Sequence, residues 1–207
     1  MSFDNLRPVA DAGKSQSVVV GNTVSLDGSG STDANGDTLA YQWTLITVPG
    51  GSQCAIINPT AATASFVPDV VGNYVAQLVV NDGDLDSNPD TIQIEVVTGQ
   101  TMATTVVQDS QAVVVSLDTG AFQNSNQQNT LQNKLNSAIA SIEAGNYADA
   151  KSQLESIQKK TDGCATSGAP DKNDWIDNCE DQSTLYQAIQ DAIAAVKFLR
   201  ANAAEYG

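Results

Sequence analysis

At 207 residues the chain is sized for one or two domains, and its 9 basic residues against 24 acidic ones leave a net charge of −15. Phosphate backbones attract clusters of Lys and Arg, and the sequence shows no such cluster, so nucleic acid and anionic membrane surfaces are excluded as partners. There is no histidine, which removes the commonest general base, the Ser/His and Cys/His nucleophile pairs and most zinc sites. No apolar run reaches the ~18 residues of a membrane span, so membrane insertion is not expected. Met1-Ser2-Phe3-Asp4 has neither the basic start nor the apolar stretch of a signal peptide; an exported protein would have lost its leader before this point. Most of the acid is Asp rather than Glu, a residue suited to turns and to hard cations.

The first half reads as β. Short runs of Val, Thr, Tyr and Leu alternate with Gly/Pro/Asn/Asp clusters at the spacing of an all-β sandwich. Strands are predicted at Gln16–Val20, Thr23–Asp27, Leu39–Ile46, Ala55–Ile57, Ala64–Val67, Gly72–Asn81 and Asp90–Val97. In the sixth of these, Tyr74, Ala76, Leu78 and Val80 fall on one face and Val75, Gln77 and Val79 on the other. Asp33-Ala34-Asn35-Gly36-Asp37, Pro49-Gly50-Gly51 and Asn81-Asp82-Gly83-Asp84 supply turn chemistry between strands. Trp43 is expected to fill the space between the two sheets. Cys54 reads as a buried free thiol acting as a small hydrophobe.

After Val97 the texture changes, and Gln, Asn, Ala, Leu and Ile take over at helical spacing. The domains predicted are a sandwich over residues 1–98 and a separate helical bundle over 99–207, with a linker at about 98–104. Leu131, Leu135, Ala138, Ile139 and Ile142 form one apolar stripe. Ala150, Leu154 and Ile157 form a second, and Leu185, Ile189, Ile193, Val196 and Leu199 a third. Gly145 is placed to end one helix and Asn146 to cap the next. A shorter first helix is predicted at Gln108–Leu117, where Val113-Val114-Val115 adds a β flavour. About four helices result, with an irregular loop over Asp162–Asp181. Cys164 and Cys179 bracket that loop; a disulfide there would close about 15 residues and add ~3 kcal/mol, the alternative being two free thiols.

Several runs of the first half, in order, resemble the polycystic kidney disease (PKD) family, an immunoglobulin-like sandwich. They are Asn5-Leu6-Arg7-Pro8-Val9-Ala10-Asp11-Ala12-Gly13, Val24-Ser25-Leu26-Asp27-Gly28-Ser29-Gly30-Ser31-Thr32-Asp33, and Asn35-Gly36-Asp37 leading into Leu39-Ala40-Tyr41-Gln42-Trp43. Phe66-Val67-Pro68, Gly72-Asn73-Tyr74 and Leu78-Val79-Val80-Asn81-Asp82-Gly83 follow. Calcium wants six to eight oxygens, and Asp33-x-Asn35-Gly36-Asp37 puts side-chain oxygens on alternate residues of a tight turn. By likeness to calcium-binding members, Asn5, Asp33, Asn35 and Asp82 are implied as ligands, with Asp37 a weaker candidate that faces solvent. Asn35 stands where Asp is more usual, which lowers the charge of the site. The competing reading makes these residues turn formers with no metal. In the second half, Gly120-Ala121-Phe122, Leu131 through Ala138 and Gly145 through Leu154 resemble the FIMAH-type helical modules of large secreted bacterial proteins. That likeness implies an accessory role.

The expectation is thus a non-catalytic, extracellular accessory module of a bacterial secreted or surface protein. It would mediate contact with a protein or polysaccharide ligand, with adhesion and spacing as its roles and calcium as a structural cofactor. Trp175 is expected to plug the loop onto the bundle; exposed beside Tyr186 it would instead offer a carbohydrate-stacking platform. A structural subunit of a surface filament, self-associating through its ends, is the second class. A carboxylate-based glycosidase, needing two acids across a cleft, is the third.

Overall fold

Side chains on a strand alternate between two faces, and in the computed structural model, which describes residues 4–202, Tyr74, Ala76, Leu78 and Val80 are all fully buried. The chain divides into two compact units between Thr98 and Gly99. The first contains β1 (Gln16–Val19), β2 (Val24–Asp27), β3 (Ala40–Thr47), β4 (Thr63–Phe66), β5 (Gly72–Asn81) and β6 (Asp90–Val97). One sheet has the order β1-β6-β5-β3, and β2 pairs with β4. β1 runs parallel to β6, while the other neighbours are antiparallel. Val24, Leu26 and Phe66 pack with Trp43, Leu78 and Ile94 in one apolar core. This is the immunoglobulin-like sandwich that the sequence predicts.

Trp43 is 1% exposed, and its indole N–H donates to the Ala61 carbonyl at 3.2 Å. The ring lies over Gly28, where a methyl group would stand 3.1 Å from the ring and 2.7 Å from Leu78 Cδ2. Glycine is needed here for close approach. At the other end of the core the Tyr74 hydroxyl donates to the Val70 carbonyl at 2.8 Å. This four-residue reach back is the tyrosine-corner arrangement of immunoglobulin-like sandwiches. The same hydroxyl meets Ser52 Oγ at 3.2 Å, and Ser52 donates to Asp69 at 2.5 Å.

One predicted strand does not form, and the opening segment forms none. The run Ala55–Ile57 contributes only a bridge between Ile57 and Ser65; Asn58 takes a positive φ of 57° and Pro59 follows, which ends the run. The opening segment pairs only through Val9, with Thr32 and Asn88, because Pro8 has no N–H to give a ladder.

The second unit contains α1 (Gly99–Ser116), a 3₁₀ turn (Thr119–Ala121), α2 (Ser125–Glu143), α3 (Tyr147–Gln158), α4 (Gly163–Ser167) and α5 (Cys179–Ala201). α1 packs on α2 and α5, and α3 packs on the same two helices. The three predicted stripes build the core, with Leu131, Leu135, Ile142, Leu154, Ile157, Leu185 and Ile189 fully buried. The linker expected at 98–104 is corrected: α1 begins at Gly99. Its buried residues Ala103, Val107, Ser110 and Val114 recur every three or four positions, and that burial overrides the β preference of the valine run. Gly145 ends α2 at a φ of +74°, as predicted. Asn146 sits at the N-cap of α3 but makes no side-chain capping bond.

The loop over 162–181 is more ordered than predicted. It carries α4 and the Cys164–Cys179 disulfide, with Cα atoms 5.4 Å apart. Asp174 is fully buried and accepts from the Asp171 N–H at 2.6 Å and the Gly163 N–H at 3.4 Å. Gln182, also fully buried, accepts from the Cys164 N–H at 2.6 Å and donates to the Ile176 carbonyl at 3.2 Å. A methyl group on Gly163 would overlap the Asp174 carboxylate, so a glycine is required beneath it.

Each unit has one tryptophan, Trp43 or Trp175, so the two can be followed separately by fluorescence in Trp175→Phe and Trp43→Phe backgrounds. Replacing Cys164 and Cys179 by Ser is expected to destabilise the helical unit by ~3 kcal/mol and to leave the sandwich unfolding curve in place. An unshifted Trp175 transition would refute this.

The Asp69 carboxyl is held below its ordinary value of 3.8, first by the Ser52 hydroxyl and then by the Gln53 N–H. A carboxyl lowered on folding contributes stability above its unfolded pKa and loses it as pH falls through the lower folded value. Acid should therefore weaken the native sandwich more steeply than an Asp69→Asn variant below an ordinary value of 3.8. Overlapping acid-unfolding curves would contradict that.

Candidate functional site

The opening segment ties together the two turns that carry the predicted ligands. Asn5 donates its side-chain N–H to Asp82 at 3.0 Å, and the Leu6 N–H donates to Asn35 Oδ1 at 2.8 Å. Asp33 Oδ1 accepts from the N–H groups of Asn35 at 2.8 Å and Asp37 at 3.0 Å. Asp33, Asn35 and Asp82 are thus linked through residues 5 and 6, while exposed Asp37 joins only through its backbone. Asp82 accepts from Leu85 at 2.7 Å and Asp84 at 2.8 Å, and these amides, Leu85 first, hold its carboxyl below the ordinary range.

A cation is tested most directly by the oxygens that lack donors. Asp33 Oδ2 is buried and has no hydrogen-bond partner, a state that costs roughly 1–3 kcal/mol if nothing meets the atom. Its position fits a cation ligand. Both Asp82 oxygens already have donors. Among the described residues no group of three or more acidic, His or Cys side chains converges as a metal centre, so any cation here would draw on two carboxylates at most, with amide and carbonyl oxygens. That donor set suits a weak extracellular calcium site.

The second unit holds a polar trough that the sequence does not announce. One groove of about 490 Å³ is lined by Ser152, Glu155, Ser156, Lys159, Lys160 and Asn173. Another, of about 310 Å³, is lined by Thr130, Asn133, Lys134, Ser137 and Gln153. Lys134 of the second groove donates through Nζ to Ser156 Oγ of the first at 3.3 Å. Gln153 donates to Asp149 at 2.6 Å and to Ser141 at 3.1 Å, and its Oε1 is buried without a partner. Glu155 is held below its ordinary value first by the Lys151 hydrogen bond, with the charges of Lys197 and Lys159 adding to it. The expectation that lysines do not cluster is therefore corrected: helices 3.6 residues per turn gather them from α2, α3 and α5.

Trp175 is half-buried against the helical core. Lys160 Nζ stands 5.7 Å from its ring centroid, a cation–π arrangement. Tyr186 accepts a hydrogen bond from Gln190 at 3.0 Å. Trp175 thus packs on the bundle as a half-buried plug rather than standing exposed.

Residues 12–96 match the family model of the K319L-like PKD domain. The first unit has the PKD fold. No curated protein matches the chain. Among solved structures, the PKD domain from KIAA 1837 protein is 27% identical, covering 47% of this chain and 93% of its own, with a TM-score of 0.37. The PKD domain of human KIAA0319 is 22% identical over 44% of this chain and 82% of its own, with a TM-score of 0.38. A nucleoside hydrolase-related hypothetical protein from Saccharophagus degradans, associated with carbohydrate metabolism, is 27% identical over 45% of this chain, with a TM-score of 0.39. The present chain spans 26% of that protein's length.

Proposed function

We propose that the chain is a non-catalytic accessory module of an exported protein, in which a PKD sandwich and a FIMAH-like helical unit provide contact, adhesion and spacing. The PKD match over residues 12–96 carries this reading. The Cys164–Cys179 disulfide supports an oxidising compartment. With no histidine, proton transfer would fall to carboxylates. The three lowered carboxyls of the sandwich, Asp27, Asp69 and Asp82, are held ionised by hydrogen-bond donors, which suits turn formation better than acid catalysis. Beads coated with the whole chain are expected to adhere to extracellular polysaccharide or protein surfaces and to release no product from a panel of glycosides. Turnover that disappears when a single Asp becomes Asn would overturn the reading.

We infer further that the sandwich is stabilised by calcium through Asp33, with Asn5, Asn35 and Asp82 completing the oxygens and Asp37 outside them. The cation would supply the positive charge that Asp33 Oδ2 lacks and would pin the opening segment to both turns. Affinity in the ~10⁻⁴–10⁻³ M range means that calcium at ten times its dissociation constant adds ~1.4 kcal/mol. Thermal melts of the Trp175→Phe protein should rise with millimolar calcium and fall back with chelator. Asp33→Asn retains an acceptor for the turn amides and should abolish only the response. A melt indifferent to calcium would eliminate the site.

A further inference from the structure

Asn35 is followed by Gly36, the one Asn-Gly pair in the chain, and both residues are exposed. The backbone is held on either side of them. Asp33 Oδ1 accepts from the N–H of Asn35 at 2.8 Å and from that of Asp37 at 3.0 Å. Between these two, the Gly36 N–H finds no acceptor among the described residues. Gly36 has a φ of +84°, and nothing lies within 4 Å of where a Cβ would stand, so no side chain shields its nitrogen. The Leu6 N–H donates to Asn35 Oδ1 at 2.8 Å. That bond draws electron density from Cγ and is placed to meet negative charge growing on the oxygen.

These groups suffice for an intramolecular amide exchange. Solvent hydroxide removes the Gly36 N–H proton, the nitrogen attacks Asn35 Cγ, and Nδ2 takes a proton from water and leaves as ammonia. Water then adds to Cγ of the succinimide. The bond between Cγ and the Gly36 nitrogen breaks, that nitrogen regains a proton, and residue 35 is left with a carboxylate. Opening at the other carbonyl would instead lengthen the backbone between residues 35 and 36. Asp33 Oδ1 could then no longer hold both flanking amides at bonding distance, so the native turn favours the aspartyl product. The new carboxylate can still accept from Leu6. It stands beside Asp33, whose second oxygen is buried without a donor. With no cation it repels the carboxylates of Asp33 and Asp37; with calcium present it raises the ligand charge of the site.

We propose that Asn35 is a self-modifying residue, converted to Asp within the native turn, and that the conversion makes the sandwich depend on calcium. The dependence rests on the calcium reading above; the conversion does not. The test ages the whole chain in mildly alkaline buffer, folded and in denaturant. Peptides are mapped by mass, and Asp-specific proteolysis separates aspartate from isoaspartate. The amide at residue 35 is expected to be lost before any other asparagine amide, with Asp the main product in the folded chain and isoaspartate in denaturant. Asn35→Gln should keep its amide. In the Trp175→Phe background, Asn35→Asp should melt below the unaged chain in chelator and above it in calcium, binding calcium ~10-fold more tightly. An Asn35 that outlasts the other asparagines, or isoaspartate alone from the folded chain, overturns the proposal and leaves the calcium reading standing. A lower melt for Asn35→Asp in both chelator and calcium overturns the dependence. Conversion to Asp with both forms indifferent to calcium removes the calcium reading and the dependence together, while the mass change upholds the conversion.

Discussion

A side-chain oxygen accepting the backbone N–H two residues on is the interaction that recurs through both units. Asp11 holds Gly13, Asp27 holds Ser29, Asp33 holds Asn35, Asp82 holds Asp84, Asp118 holds Gly120 and Asp171 holds Asn173. With 24 acidic residues against 9 basic ones, most carboxylates have no cation to pair with. The chain's own turn amides are the donors that remain, and short Asp reaches them where Glu does not. Strand ends and loop shapes follow from these bonds, and they add to the lowering of two carboxyls, Asp27 after the Ser29 hydroxyl and Asp82 after the Leu85 N–H.

The same interaction sets what the sandwich end can do with a cation. A turn amide that occupies one carboxylate oxygen fixes the side chain and leaves the other oxygen for a different partner. At Asp33 the first oxygen holds two amides and the second is buried alone. At Asp82 both oxygens are taken. Two residues of equal standing in the sequence therefore differ in chemistry, and the opening segment bonds to Asp82 through Asn5 and to the Asp33 turn through Leu6.

The helical unit holds seven of the nine basic residues of the chain, although its acidic residues still outnumber them. Its loop is secured by a disulfide and by two fully buried polar side chains, Asp174 and Gln182, which satisfy amides that would otherwise have no partner. That rigid loop presents Asn173 and Trp175 beside the end of α3, with the Trp175 N–H bonded to the Lys160 carbonyl at 2.9 Å. A polar trough on a helix pair is held in shape by such supports rather than by its own lining.

Local chemistry made much of the fold legible. Alternation located β5 and β6, turn residues separated the strands, apolar stripes located α2, α3 and α5, and the two cysteines pointed to their bond. The sequence misled where a local signal was outweighed. Valines at 113–115 made the predicted first helix look short and part β, but Val114 is buried in an α1 that runs from Gly99 to Ser116; Asn146 had the chemistry of a cap but not the geometry. Residues of a candidate site could be named in advance only for the sandwich, where a turn motif offered Asp33 and Asn35 and the PKD likeness added the distant Asn5 and Asp82. Which oxygen of Asp33 stands alone, and which amide face of Gln153 lacks a donor, depends on groups from distant segments. The lysines that line the two grooves stand at 134, 159 and 160, and no short linear pattern joins them. The sequence alone determined the elements, because periodicity and turn chemistry act over a few residues; packing alone decided the sites, because charge and hydrogen bonding act through space.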